Sequence, residues 1–364
     1  MNIKEVRLIQ VEMPLKKPFV THQGTLEKRP VIVVEAKDHI GLSGWGEVTA
    51  FPSPFYTSET IQTARHVLSN FLIPAVKGLK KPEQFHKAVS FVKGHPMAKA
   101  GLEGALWDLA AKQQNVSLSC LVGGVKEEVE AGAVISLSSY TAEEIDSLLD
   151  EGYTRFKLKV EKGKEREMIL SVRETHPDLP LMIDANGMYE EENLEEVVKL
   201  DDLGLLMIEQ PFPSGDFYLH QQAQKQMKTP LCLDESIQSY EDAKQAIALG
   251  SCRIMNIKIS RIGGLSAAIH VHDLCQSHNI PVWCGGMVET GISKAHNLAL
   301  ASLPNFQYPG DLSGSLRYFE KDIINPYFEV NNGMMQVPHG KGIGVSINKE
   351  VLRSFTKQED RFTL

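Results

Sequence analysis

LPLMIDAN, residues 179–186, is the stretch on which the fold turns. Leu181, Met182 and Ile183 form the apolar run of a buried strand, yet the run ends on a carboxylate, Asp184. Asn186 follows two residues later and so faces the same side. A carboxylate buried without a partner costs several kcal/mol, so Asp184 either caps a helix or holds a ligand.

The same design recurs on both sides of this stretch. AGAVIS (131–136) ends on Ser136, RFKLKV (155–160) carries Lys157 and Lys159, and GLLMIEQP (204–211) carries Glu209. TPLCLDES (229–236) carries Asp234, RIMNIKIS (253–260) carries Lys258, and IPVWCGG (280–286) carries Cys284. From Ser136 through Lys159, Asp184, Glu209, Asp234 and Lys258 to Cys284 the steps are 23, 25, 25, 25, 24 and 26 residues. A strand-then-helix unit of that length, repeated seven or eight times, builds a closed (β/α) barrel. A doubly wound open sheet also alternates, but it usually carries a glycine-rich phosphate loop after its first strand, and G-x-G-x-x-G does not occur here. The expected fold is therefore α/β, a (β/α) barrel of the TIM type.

In such a barrel the strand ends meet at one mouth. Adjacent strands lie about 4.8 Å apart, so three consecutive ones bring Asp184, Glu209 and Asp234 within roughly 10 Å of each other. At about 4 Å separation and an effective dielectric of about 20, repulsion is about 4 kcal/mol per pair. The cluster must take up protons or hold a cation. Hard oxygen ligands suit Mg²⁺, with Mn²⁺ as a substitute. One acid at a strand end is more often a helix cap, and "DES" taken alone has that reading, but the whole series at matched positions is poorly explained by capping. Strands two and six oppose each other in an eight-stranded ring, which sets Lys159 and Lys258 face to face across the mouth. Strand alternation puts Lys157 on the face of Lys159. A metal and a neighbouring ammonium lower a lysine's pKa, so two such amines can remove a proton from either face of a metal-bound carboxylate. The metal would stabilise the resulting enediolate.

The amino-terminal third has a different character. VRLIQVEMPL (6–15), RPVIVVEAKD (29–38) and GLSGWGEVTAF (41–51) read as three antiparallel strands, followed by helical patterns near 58–78, 82–92 and 97–114. Trp107 and Leu109 are expected in the core of the last helix. This α+β cap is expected over 1–125, the barrel over 126–324, with 325–364 returning to the cap. Between the first two strands, KPFVTHQGTLEKR (17–29) is expected to be a polar lid loop, with His22, Gly24 and Arg29 as candidate contacts for a substrate carboxylate.

Composition bounds the partners. A chain of 364 residues with a formal charge of −8 lacks the basic footprint of a nucleic-acid binder, so small anionic substrates must find local positive charge. Five cysteines without a C-x-x-C pair suggest reduced thiols in a cytoplasm. The amino terminus lacks the apolar core of a signal peptide, and no apolar run reaches membrane-spanning length. Symmetric assemblies are common among such enzymes, which leaves a homo-oligomer open.

KLKV, IDANG, IEQPF, LDES and NIKIS together resemble the enolase superfamily, in its muconate-lactonizing-enzyme-like subgroup. The resemblance spans essentially the whole chain and implies a (β/α)7β modified TIM barrel with an α+β amino-terminal capping domain. A lysine or histidine base beside Mg²⁺ is the general chemistry of that superfamily. WCGGMVETGISKAHNLALASLPNF (283–306) followed by YPGDLSGS (308–315) looks like the branch holding o-succinylbenzoate synthases and N-succinylamino acid racemases. The resemblance implies metal ligands at Asp184, Glu209 and Asp234 and a base at Lys159. Lys258 would stabilise the enediolate or act as second base, and Lys157 would sit near the substrate carboxylate. Ser136, Asn186, Glu289, Gly291 and Ser293 would neighbour the pocket. Two departures stand out: EKGKE follows KLKV where a Pro-Gly turn is expected, and YPGDLSG offers only Asp311 where dipeptide epimerases carry Asp-x-Asp.

Arg261, three residues after Lys258, is either a solvated surface arginine or a charge that lowers the Lys258 pKa and favours racemisation. HVHDLCQSH (270–278) reads as a solvated helix face, because its histidine spacings of two and six do not suit a helical zinc site. The rival functions are a lyase that dehydrates, an isomerase that racemises, and a non-catalytic binding barrel. The intact acid and base set argues against the last.

Overall fold

A computed structural model describes residues 1–21, 24–135 and 141–364. Ser136 and His22 lie outside them. The cap is built on β1 (Ile3–Thr21), β2 (Gly24–Asp38) and β3 (Ser43–Val48), paired antiparallel with Leu8 opposite Val34 and Val34 opposite Gly46. Alternation explains the unbroken VIVV run in β2. Ile32 and Val34 join Val6 and Leu8 against the cap helices, while Val31 and Val33 join Ile9, Val11 and Met13 toward the barrel. Both faces are buried. The 96–114 helix (Pro96–Gln114) lies close over β3, and Trp107 and Leu109 are buried in it. That approach requires Gly46, where a Cβ would stand 2.0 Å from the Gly101 carbonyl oxygen.

The segment expected as a lid loop is ordered differently. β1 and β2 run on into it as a hairpin arm, with Phe19 opposite Leu26 and Thr21 opposite Gly24. Hydrophobic periodicity fades there, but main-chain pairing does not depend on it.

After a short β4 (Glu128–Glu130) come β5 (Ala133–Ile135), β6 (Phe156–Lys159), β7 (Leu181–Asp184) and β8 (Ile208–Glu209). β9 (Leu231–Leu233), β10 (Ile254–Ile257) and β11 (Val282–Cys284) complete a parallel sheet whose order in space is its order in sequence. Residues 305–311 close the ring. Phe306 bridges Val282 on one side, and Gly310 bridges Ala131 on the other. The Gly132 amide donates to the Gly310 carbonyl at 2.7 Å, and the Asp311 amide to the Cys284 carbonyl at 2.9 Å. The tail returns in three pieces. β12 (Ile324–Asn325) pairs with β14 (Ser346–Ile347), β13 (Met334–Gln336) with β4, and β15 (Thr356–Thr363) with the free edge of β1. Among the described residues no helix is long and apolar enough to cross a membrane. All five cysteines are free thiols.

Cap and barrel are fastened by charge. Glu47 of β3 accepts from the Thr290 amide at 3.0 Å, the Thr290 hydroxyl at 2.6 Å and the Ser293 amide at 3.1 Å, capping the Gly291–Ala301 helix. Arg29, expected at the substrate, is fully buried in this seam instead. It donates to the carbonyls of Val288 at 2.8 Å, Ala50 at 2.7 Å, Pro30 at 3.1 Å and also Thr49, over the ring of Phe51. Burial pushes its pKa down to about 10, with Glu47 and Glu289 opposing. Arg29→Ala strips several charge-assisted bonds from buried carbonyls and is expected to cost about 3 kcal/mol, read as an earlier urea midpoint at constant slope.

Candidate active site at the barrel mouth

Three consecutive strands, β7, β8 and β9, deliver Asp184, Glu209 and Asp234 as their last or next residue, and all three side chains are buried. Asp184 and Glu209 are direct neighbours in the sheet register. Lys157, inside β6, reaches both, its amine 2.8 Å from Asp184 Oδ2 and 2.7 Å from Glu209 Oε2. It also lies 3.0 Å from Asp311 Oδ2, and Asp311 is held in turn by Arg155 at 2.6 Å. Burial alone would lower the Lys157 pKa, but Asp184, Asp311 and Glu209 hold it well above the ordinary value.

The acids differ electrostatically. Burial would raise Asp184, yet Lys157 and Lys159 hold it well below the usual carboxylate range. Asp234 is likewise lowered against burial by Arg261 and Lys258. Glu209 goes the other way, pushed up to about 8 by burial and the Asp184 charge, with Lys157 opposing. Its Oε1 accepts from Asn256 Nδ2 at 3.0 Å, but its buried Oε2, though close to Lys157, makes no hydrogen bond. Amines stand among the acids, so among the described residues no three acidic, His or Cys side chains gather closely enough to clasp a metal ion.

The two outer lysines sit in unlike surroundings. Lys159, at the end of β6, has a side chain 35% exposed and donates to Asp184 Oδ2 and, at 2.7 Å, to Asn186 Oδ1. Lys258, just past β10, is buried, 2.8 Å from Asp234 Oδ2 and 3.2 Å from the Tyr56 hydroxyl. Arg261 is also buried, which excludes a solvated surface role. It binds Asp234 Oδ1, donates to the Ile237 and Asn256 carbonyls at 2.9 Å each, and reaches the Tyr56 hydroxyl at 3.2 Å. Arg261 lowers the Lys258 pKa as expected, but burial and Arg261 together are outweighed by Asp234 and Tyr56, and Lys258 stays well above the ordinary value.

The remaining expected neighbours are partly elsewhere. Asn186 joins the cluster, its amide N–H on Asp184 Oδ1 at 3.1 Å and its Nδ2 on Glu235 Oε1 at 3.1 Å. The amides of Gly291 and Ser293 are spent on Asp322 at 3.0 Å and Glu47 at 3.1 Å, within the cap seam. Glu289 is buried there too, accepting the Met287 amide, its carboxyl pushed up to about 8 by burial with Lys294 opposing. His272 departs from the solvated-face expectation. It is buried, stacked on Phe306 at 5.6 Å, and accepts the Asn305 amide at 3.1 Å. A cavity of about 440 Å³ lined by Lys126, Phe306, Tyr308 and Met334 includes none of the five acids and amines.

Sequence reasoning missed Tyr56, Asn256, Glu235 and the Arg155–Asp311 brace. Asn256 was findable, since it precedes Lys258 by two and shares its face. Tyr56 comes from a cap loop, and no periodicity marks it.

Residues 3–123 match the family model of the mandelate racemase / muconate lactonizing enzyme amino-terminal domain, and residues 140–351 match the enolase carboxy-terminal domain-like model. The chain is 46% identical to the o-succinylbenzoate synthase of Bacillus subtilis (strain 168), over 100% of this chain and 99% of that one. It is 41% identical to the N-succinylamino acid racemase of Thermus thermophilus, covering 95% of each. A crystal structure of an enolase-superfamily member from Listeria innocua superposes with a TM-score of 0.96 at 41% identity, over 100% of this chain and 99% of that one.

Proposed function

The chain belongs to the enolase superfamily, and on that premise we propose that it is an o-succinylbenzoate synthase of menaquinone biosynthesis. The reaction is the syn-dehydration of 2-succinyl-6-hydroxy-2,4-cyclohexadiene-1-carboxylate. The observation that carries this reading is a half-exposed lysine on β6 and a buried one after β10, on opposite walls, with three acids on consecutive strands between them.

In chemistry, though not in the spacing that the intervening amines impose, the donor set suits a hard divalent cation. Glu209 Oε2 is a buried carboxyl oxygen without a hydrogen bond, and Asp184 and Asp234 offer further carboxylate oxygens. Asp184, Glu209 and Asp234 would hold Mg²⁺, with Mn²⁺ as substitute, and the ion when bound supplies positive charge for the substrate carboxylate. Lys159 takes the proton from the carbon bearing that carboxylate. The electron pair becomes a ring double bond as the C6–O bond breaks, and the hydroxide leaves as water on the same face, taking the proton that Lys159 has just accepted and returning that amine to its neutral form. Lys258, held as an ammonium by Asp234, stabilises the negative charge that develops. Lys157 adds positive charge among the acids, between Asp184, Glu209 and Asp311.

Racemisation of N-succinylamino acids is a second activity consistent with the same proton abstraction, with Lys258 serving the opposite face. Turnover of the cyclohexadiene substrate to an aromatic product, followed by its ultraviolet spectrum, tests the first activity. Deuterium uptake at the α-carbon of N-succinyl amino acids in D₂O tests the second. Absence of product in the first assay overturns the synthase reading. The Arg261 charge opposes the proton held on Lys258, though Asp234 and Tyr56 outweigh it, and in this reading it eases proton delivery from Lys258 and so favours racemisation. Arg261→Gln is expected to lower racemisation relative to dehydration several-fold, and an unchanged ratio removes Arg261 from the account.

A further inference from the structure

We infer that Ser313, backed by the buried amine of Lys294, anchors the carboxylate that ends the succinyl chain of the substrate, an inference that rests on the function proposed above. Both proposed activities act on molecules that carry this chain. Arg29, the arginine expected to meet it, is bonded to main-chain carbonyls in the cap seam. The segment from Asp311 to Ser313 follows the strip that closes the barrel and stands at its mouth, with Asp311 Oδ2 3.0 Å from the Lys157 amine. Leu312 is buried, while Asp311 and Ser313 are half-buried. That alternation turns both polar side chains to one face, with Ser313 roughly 7 Å beyond Asp311.

Lys294 lies behind Ser313, in the Gly291–Ala301 helix, with 1% of its surface exposed. Its amine donates to Ser313 Oγ at 3.2 Å and to the Gly314 carbonyl at 2.8 Å, with the centre of the Tyr318 ring 5.5 Å away. Buried charges are ordinarily paired. Glu289, Asp322 and Glu47 are buried in the same seam, yet none forms an ion pair with Lys294, although Asp322 Oδ2 has no hydrogen bond of its own. The amine is turned to the mouth segment instead. Burial lowers its pKa, and those three acids oppose the shift only from a distance.

A serine hydroxyl has one O–H donor and two acceptor lone pairs. Lys294 fills one lone pair and, as an ammonium, accepts nothing in return, so the hydroxyl proton turns elsewhere. Among the described residues it finds no acceptor. A half-buried O–H with a cation behind it is a donor suited to an anion, and a carboxylate held there is the near counter-charge that Lys294 lacks.

Two ligands of one shape separate charge from fit: N-succinylglycine and its half-amide, in which the terminal carboxylate is a carboxamide. N-Succinylglycine is achiral, so turnover leaves it unchanged. Binding of each is measured by calorimetry at saturating Mg²⁺, beside kcat and KM for dehydration. The wild type is expected to bind the succinyl ligand at least about tenfold more tightly than the half-amide, as one charge-assisted hydrogen bond supplies. Ser313→Ala and Lys294→Met are each expected to weaken the succinyl ligand about tenfold and to leave the half-amide within about twofold. In dehydration the same loss should fall on KM, with kcat within about threefold. Ser313→Ala removes a half-buried hydroxyl alone, so it decides the matter even where Lys294→Met does not fold. Equal weakening of both ligands is what a purely structural role gives, and it overturns the inference. Unchanged discrimination in Ser313→Ala, or a wild type that does not discriminate or binds neither ligand, overturns it as well. Binding needs no turnover: a wild type that discriminates but forms no aromatic product sinks the synthase reading and leaves the anchor standing.

Discussion

Lys159→Ala is expected to lower dehydration by about 10³-fold while the melting midpoint moves by no more than about 2 °C. General-base contributions lie at about 10²–10⁴, and dehydration needs abstraction from one face only. The small stability change follows from geometry. Lys159 is partly exposed, and its loss leaves Asp184 still paired with Lys157 at 2.8 Å. Lys258→Ala separates the two amines. It removes the buried partner of Asp234, which keeps only Arg261, and so lowers both kcat and stability. It should nevertheless leave deuterium uptake intact for the enantiomer whose α-proton faces Lys159. Rates following the aromatic product and mass spectrometry of the exchanged amino acids separate the cases. Retention of more than about a tenth of the dehydration rate in Lys159→Ala would remove that amine from its proposed role.

The barrel was legible because strand ends recur every 23 to 26 residues, and its acids and amines fall on that grid. The three cap strands were legible from composition, β2 above all, where VIVV serves two cores at once. What stayed hidden depends on contacts between segments far apart in sequence. Arg29 looked like an anion ligand because its partners are main-chain carbonyls, which no side-chain pattern reports. Tyr56 reaches Lys258 across 202 positions. Glu235, adjacent to Asp234, was passed over because two acids in a row before a helix read as capping, whereas its carboxylate turns to Asn186. His272 was misread for the opposite reason, since an amphipathic helix buries one polar residue wherever a neighbouring amide needs an acceptor. Local periodicity places the backbone of this site, and tertiary pairing decides which polar side chains serve it.

Glu209→Gln is expected to reverse the stability order of the protein and its variant when Mg²⁺ is added. Without the ion, wild-type Glu209 is buried beside Asp184, and both share the Lys157 amine. Burial and the Asp184 charge disfavour its ionised form, so a neutral amide of the same shape relieves a cost. It can still accept from Asn256 Nδ2, which donates to Glu209 Oε1 at 3.0 Å. The metal-free variant should therefore melt at or above the metal-free wild type. With Mg²⁺ at about 100 times its dissociation constant, a wild-type site that binds only when folded gains about 2.7 kcal/mol, and the variant gains little. Activity follows the same logic. Chelation of the wild type and the Glu209→Gln change should each lower dehydration by about 10³-fold, a loss of about 4 kcal/mol of charge stabilisation. Re-addition of Mg²⁺ should restore only the wild type. Thermal melts with and without Mg²⁺, run beside the rate assay, decide the matter. An equal Mg²⁺-induced rise in both proteins would mean that Glu209 is not a ligand, and the three-acid cluster would need another occupant.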